Sequence, residues 1–202
     1  HFKSLNLTQL RKNMASGYLD IWPINFLKQG IVPYSPNLLT LSDACSPGET
    51  ELEDPTSLFL MQIACIVHMV PDWSSLTLRL LTIGHGSLSD RVSKTVLTVW
   101  LQLLLKEIVQ EELRLTAMLN SLRIRAKPVV IRQTEEMAGP EQANIFLRSH
   151  CSKTAILFLY LPVPPASHVD HLQYLTSLAT LTEKLCPTLL VHGINSVVTT
   201  NL

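Results

Sequence analysis

A chain of 202 residues is long enough for one substantial hydrophobic core, and one domain is the default at that length. Its 16 basic and 16 acidic side chains cancel, and a charged fraction of 16% leaves no electrostatic footprint for nucleic acid or an anionic bilayer. Hydrophobic residues at 47% point instead to apolar partners covering part of the surface.

The opening HFKSLNLTQLRK carries neither an initiating methionine nor a signal-peptide pattern, and reads as the start of a fragment. GYLDIW predicts a short strand in which Leu19, Ile21 and Trp22 flank Asp20 and which Pro23 ends. INFLKQ reads as one or two helical turns. Residues 30–55 hold Pro33, Pro36, Pro47 and Pro55, with Gly48 and the acidic run ETELED, and read as a surface loop or disordered insert within a single domain spanning 1–202. Thr56 or Ser57 is the expected N-cap of a helix over 58–69, which Pro71 stops. Alternating LTLRLLTI, 76–83, predicts a strand followed by a turn at Gly84 and Gly86. A long helical stretch, 87–122, follows. Its half TVLTVWLQLLL is apolar on several sides and expected to be buried, whereas KEIVQEELR is expected to be partly solvated.

Thereafter come a strand over 129–132, a helix over 140–150 with Pro140 in its first turn, a strand over 155–161, the loop LPVPPAS, a helix from about 168 to 185, the strand LLVH and a final strand SVVTT. Strands alternating with helices imply right-handed crossovers. The predicted fold class is α/β: a mainly parallel sheet with helices on both faces and an antiparallel C-terminal edge strand. The longest apolar runs, 58–70, 96–105 and 155–163, fall short of the roughly 18–20 residues that span a bilayer.

Few residues invite chemistry. GHGSLSD places Gly84, Gly86 and Ser87 between a strand and a helix, where backbone N–H groups hold phosphates in other proteins. It lacks the third spaced glycine of a dinucleotide fingerprint and the Gly-Lys-Ser/Thr ending of a P-loop. LLVHG is similar to the His-Gly stretch near the oxyanion hole of α/β-hydrolases, but no Gly-x-Ser-x-Gly elbow exists to go with it. HVDH puts His168 and His171 at i, i+3 with no third metal ligand evident. Cys45, Cys65, Cys151 and Cys186 form no CxxC pair, so neither a zinc module nor a disulfide framework is indicated, and reduced thiols are expected. The run FLMQIACIVHMVPDW admits three readings: a membrane helix, a helix with a catalytic or metal-binding His68, or a packing helix whose outer side meets another part of a larger protein. The first is too short and the second lacks partners. The third makes Phe59, Met61, Ile66, His68 and Met69 interface candidates.

Several of these segments together resemble the C-terminal cytosolic domain of the cation-chloride cotransporters, solute carrier family 12, and most of all the cotransporter-interacting branch of its ninth member. Gly17, Asp20, Ile21 and Trp22 match the family's Gly-x-(Ile/Leu)-Asp-(Val/Ile)-Trp/Tyr strand. LRLLTIG, beginning at Arg79's strand and ending at Gly84, fits the next one. LNSLRIRA is similar to the family's turn from a long helix into a strand, and YLTSLATLTEKLCPTLLVHGINSVVTTNL to its ending. PINFLKQG and His192 depart from the family pattern, which has an acidic Gly-Gly turn and an arginine there. The resemblance runs over 17–202. It implies a non-enzymatic regulatory and dimerisation domain on the cytoplasmic face of the plasma or an endolysosomal membrane, tuning cation and chloride symport. The implied partners are a second copy, the transmembrane transport unit and related cotransporters; ATP or another adenine nucleotide is a possible ligand, with no resident cofactor or metal otherwise expected.

Overall fold

The computed structural model describes residues 17–27, 55–85, 94–133, 137–166 and 170–193. Strand β1, Tyr18–Trp22, alternates its side chains between two apolar layers. Leu19 and Ile21 enter one core with Leu60, Leu80, Leu115 and Phe158, while Trp22 enters another with Leu81, Leu147, Leu157 and Leu181. A strand apolar on both sides must be covered on both sides, and this sequence supplies the covers as crossover helices.

The remaining elements are α1 (Pro55–Met69), β2 (Thr77–His85), α2 (Lys94–Ser121), β3 (Lys127–Gln133), α3 (Pro140–His150), β4 (Thr154–Tyr160), α4 (His171–Thr182) and β5 (Thr188–Val191). The five strands stand in the order β3-β2-β1-β4-β5, and every neighbouring pair is parallel. The chain winds outward from β1 to β3 with α1 and α2 on one face, then returns past β1 to β4 and β5 with α3 and α4 on the other. This is the doubly wound α/β arrangement that right-handed crossovers produce. The expected antiparallel strand SVVTT lies outside the described residues, as do residues 28–54, which hold nearly all of the predicted insert.

Helix α1 begins earlier than its cap residues suggest. Pro55 takes the first turn, where a missing N–H costs nothing. Thr56 and Ser57 therefore lie inside the helix rather than capping it. Their hydroxyls are drawn to tertiary acceptors, the Gly193 carbonyl at 3.0 Å and the Pro23 carbonyl at 3.5 Å. Helix α2 terminates through Arg123 in the left-handed region (φ 56°), with the Ile124 N–H returning to the Leu119 carbonyl at 2.8 Å. Helix α4 ends earlier than predicted, at Thr182. Asn144 of α3 donates to the carbonyls of Leu181 and Glu183, at 2.8 and 2.9 Å, and this clamp holds the end of α4 against its neighbour.

Candidate functional site

Parallel doubly wound sheets bind ligands beyond the carboxyl ends of their strands, where the winding direction reverses. Here that point lies between β1 and β4. Near it, the first turn of the helix that follows β1 is engaged by the chain itself. The Gly193 N–H donates to Thr56 Oγ1 at 3.3 Å while the same hydroxyl donates back to the Gly193 carbonyl, clasping the exit of β5 onto the first turn of α1. A Cβ on Gly193 would lie 2.9 Å from the Pro55 carbonyl oxygen and 3.0 Å from Thr56 Cα and Phe59 Cβ, so only glycine permits this approach. The His-Gly pair of LLVHG thus serves packing: His192 Nδ1 donates to the Leu161 carbonyl at 3.0 Å, and the Gly193 N–H is taken.

Gly84 is not in a turn. Strand β2 continues through it to His85, with Gly84 paired to Arg132 of β3, because the β2–β3 ladder extends two residues past the apolar run. Its missing side chain makes room for Val130 Cγ1, which an added Cβ would meet at 2.7 Å. Gly86 and Ser87 lie outside the described residues. Trp22, fully buried at the end of β1, packs edge-on against Phe26 and Phe146, and its indole N–H has no hydrogen-bond partner among the described residues.

The sheet centre holds a charge that sequence reading placed only as a strand residue. Asp20 is fully buried and accepts from Arg79 Nε and Nη2, both at 2.7 Å, and from the Thr154 hydroxyl. The register of β1 with β2 sets Asp20 beside Arg79, and the guanidinium also lies 3.7 Å from the centre of the Tyr18 ring. Burial works against the Arg79 charge, yet the hydrogen bonds and attraction of Asp20 outweigh it and hold its pKa above the ordinary arginine value. A bidentate pair with both of its ends engaged orders three strands; it presents no free acid or base.

The interface candidates on α1 separate cleanly. Met61 is buried in the core and cannot belong to an outer side, because it projects with Leu60 and Ala64 toward the sheet. Phe59 packs against the core edge and touches Gly193. His68 Nε2 donates to the Leu76 carbonyl at 2.8 Å, tying the end of α1 to the start of β2. Ile66 and Met69, 54% and 69% exposed, do face outward, and Val70, absent from the sequence reading, joins them one turn on from Ile66. An apolar patch therefore caps the end of α1 at the amino edge of the sheet, opposite the switch point. Of the HVDH motif, His171 donates through Nε2 to the Pro165 carbonyl at 2.9 Å, and His168 lies outside the described residues. Among the described residues no three His, Cys, Asp or Glu gather as a metal site.

No protein-family model matches the chain. It is similar to solute carrier family 12 member 9 of Danio rerio, with 32% identity over 91% of the chain and 18% of the relative. The Xenopus laevis protein of the same name is 32% identical over 100% of the chain and 21% of its own length, and the Homo sapiens protein 30% identical over 92% and 21%. The chain thus spans between 18% and 21% of the length of the relatives it matches.

Proposed function

The chain belongs to solute carrier family 12, and on that premise we propose that it forms the cytosolic regulatory and dimerisation domain of a cation-chloride cotransporter-like membrane protein. The observation that carries this reading is the match itself: nearly the whole chain corresponds to about a fifth of proteins named as solute carriers, not enzymes. An α/β unit of this kind fits the role, since among the described residues no helix is long and apolar enough to cross a membrane.

The mechanism is positional. Contacts made differently in two arrangements of the paired transport units bias one over the other, and transport follows the bias. The patch of Ile66, Met69 and Val70 is the surface offered to a second copy, to the transport unit or to a related cotransporter. Placing charges there with Ile66→Asp and Met69→Asp in the full-length protein tests this. Loss of cross-linked dimer, together with altered ion flux in cells, is the expected result. Unchanged dimer and unchanged flux, with the variant reaching its membrane at normal levels, overturns it.

A second reading, adenine-nucleotide sensing, draws support from the switch point between β1 and β4. Calorimetry of the intact protein with ATP, ADP and AMP decides it; silence for all three removes it.

A further inference from the structure

Cysteines 151 and 186 are far apart in the chain but meet in the fold. Cys151 follows α3, and its carbonyl accepts from the Thr154 N–H at 3.1 Å as the chain turns into β4. Cys186 precedes Pro187, whose carbonyl accepts from the Leu157 N–H of β4 at 2.9 Å as the chain enters β5. The two cysteines therefore sit on the approaches to adjacent, paired strands, and both pack in the cluster around Leu147, Leu157 and Leu181. The Asn144 clamp fixes the end of α4 just before Cys186. Both are free thiols, Cys151 buried and Cys186 half-buried, and they lie close enough for each to perturb the other's ionisation.

We infer that Cys151 and Cys186 form a peroxide-sensitive dithiol, with Cys186 as the sulfur that attacks and Cys151 as the one that resolves. Cys186 is half-buried where Cys151 is buried, so it is the sulfur a peroxide reaches first; its interaction with Cys151 also lowers its pKa, while the same interaction and burial raise that of Cys151. The Cys186 thiolate attacks one oxygen of hydrogen peroxide or an organic hydroperoxide. The O–O bond breaks, the leaving oxygen takes a proton to become water or alcohol, and Cys186 becomes a sulfenic acid. Cys151 then gives up its proton and attacks the Cys186 sulfur. The S–S bond forms, the S–O bond breaks and a water leaves. Two thiols have lost two electrons and the peroxide has gained them. A thiol reductant reverses the step by exchange. Cys65, whose thiol burial pushes up to about 11, is the built-in unreactive control.

The test uses the full-length protein in membranes, treated with hydrogen peroxide, then unfolded in denaturant containing N-ethylmaleimide so that every remaining thiol is blocked, and digested without reduction. The expected result is a cross-linked peptide pair joining Cys151 to Cys186, two hydrogens lighter than the sum of its parts, with maleimide labelling lost equally at both and retained at Cys65. In Cys151→Ser, a dimedone adduct should accumulate at Cys186; in Cys186→Ser, labelling of Cys151 should persist through the treatment. Full labelling of both cysteines in the unaltered protein after peroxide overturns the proposal without recourse to any variant. Oxidation of Cys151 in Cys186→Ser overturns the assignment of roles.

Discussion

Replacing Arg79 by methionine strands the Asp20 carboxylate. In the native sheet that carboxylate is fully buried and takes two guanidinium hydrogen bonds at 2.7 Å, with the Thr154 hydroxyl as its other partner. Methionine keeps the length of the side chain and its apolar stem but supplies no donor, so one hydroxyl remains to face a charge held out of water. Removing one partner of a buried ion pair costs about 3–5 kcal/mol, a large part of the roughly 5–15 kcal/mol by which domains are stable. With a urea slope of about 2 kcal/mol/M, the unfolding midpoint of Arg79→Met should fall by about 2 M. The paired change Asp20→Leu with Arg79→Met removes the stranded charge and should recover about half of that loss. Thr154 still loses its acceptor, which keeps the recovery incomplete. The assay is urea unfolding followed by far-ultraviolet circular dichroism. A midpoint moved by less than about 0.3 M in Arg79→Met, or a double variant no more stable than the single one, refutes the account of Asp20 as a charge that depends on its partner.

Gly193→Ala should lower stability by about 1–3 kcal/mol, since the new Cβ meets backbone atoms at 2.9–3.0 Å that no side-chain rotation can clear; an unchanged unfolding midpoint would contradict the clasp. The Cys65 thiol is raised by burial from 9.0 to about 11, so between those values the unfolded chain loses a proton that the folded chain keeps. Stability should therefore fall as pH rises from 9.0 toward about 11, and by less in Cys65→Ala; parallel pH profiles for the two proteins would show the thiol is not involved. Ile66→Asp and Met69→Asp, at exposed positions, should each change domain stability by less than about 0.5 kcal/mol, separating any loss of dimer from loss of fold.

What was legible in the sequence follows from which forces are local. Proline in the first turn places α3 at Pro140–His150 from local sequence. Strand β1 is equally plain, its apolar residues bracketing Asp20 and Pro23 ending it. At α1 the local signal misleads: Thr56 and Ser57 have the chemistry of caps, yet loops after β1 and β5 offer carbonyls that only the folded sheet brings near. Gly84 reads as a turn until β3 is laid beside it and Val130 occupies the space a side chain would need. Met61 and Ile66 look alike in an apolar helix with few polar residues to mark its outer side, and only packing against Leu60 and Ala64 sends the first of them inward. Asp20 and Arg79 each stand out as a charge in an apolar strand, but their partnership is a matter of strand register, as the meeting of Cys151 and Cys186 is a matter of topology.

The Asp20 cluster also sets a timetable. Strand β1 is the middle of the sheet and comes first of its five strands in the chain, while its two charge partners follow 59 and 134 residues later. During synthesis the nascent chain completes one side of β1 early, with β2, and leaves the other edge unpaired until β4 emerges. Such long-range pairing slows folding and leaves an open strand edge to be shielded meanwhile. A chain halted after β2 and before Thr154 thus has β1 paired on one side only, with the Asp20 carboxylate holding Arg79 but lacking the Thr154 hydroxyl, and an open strand edge of this kind is a template for wrong pairing.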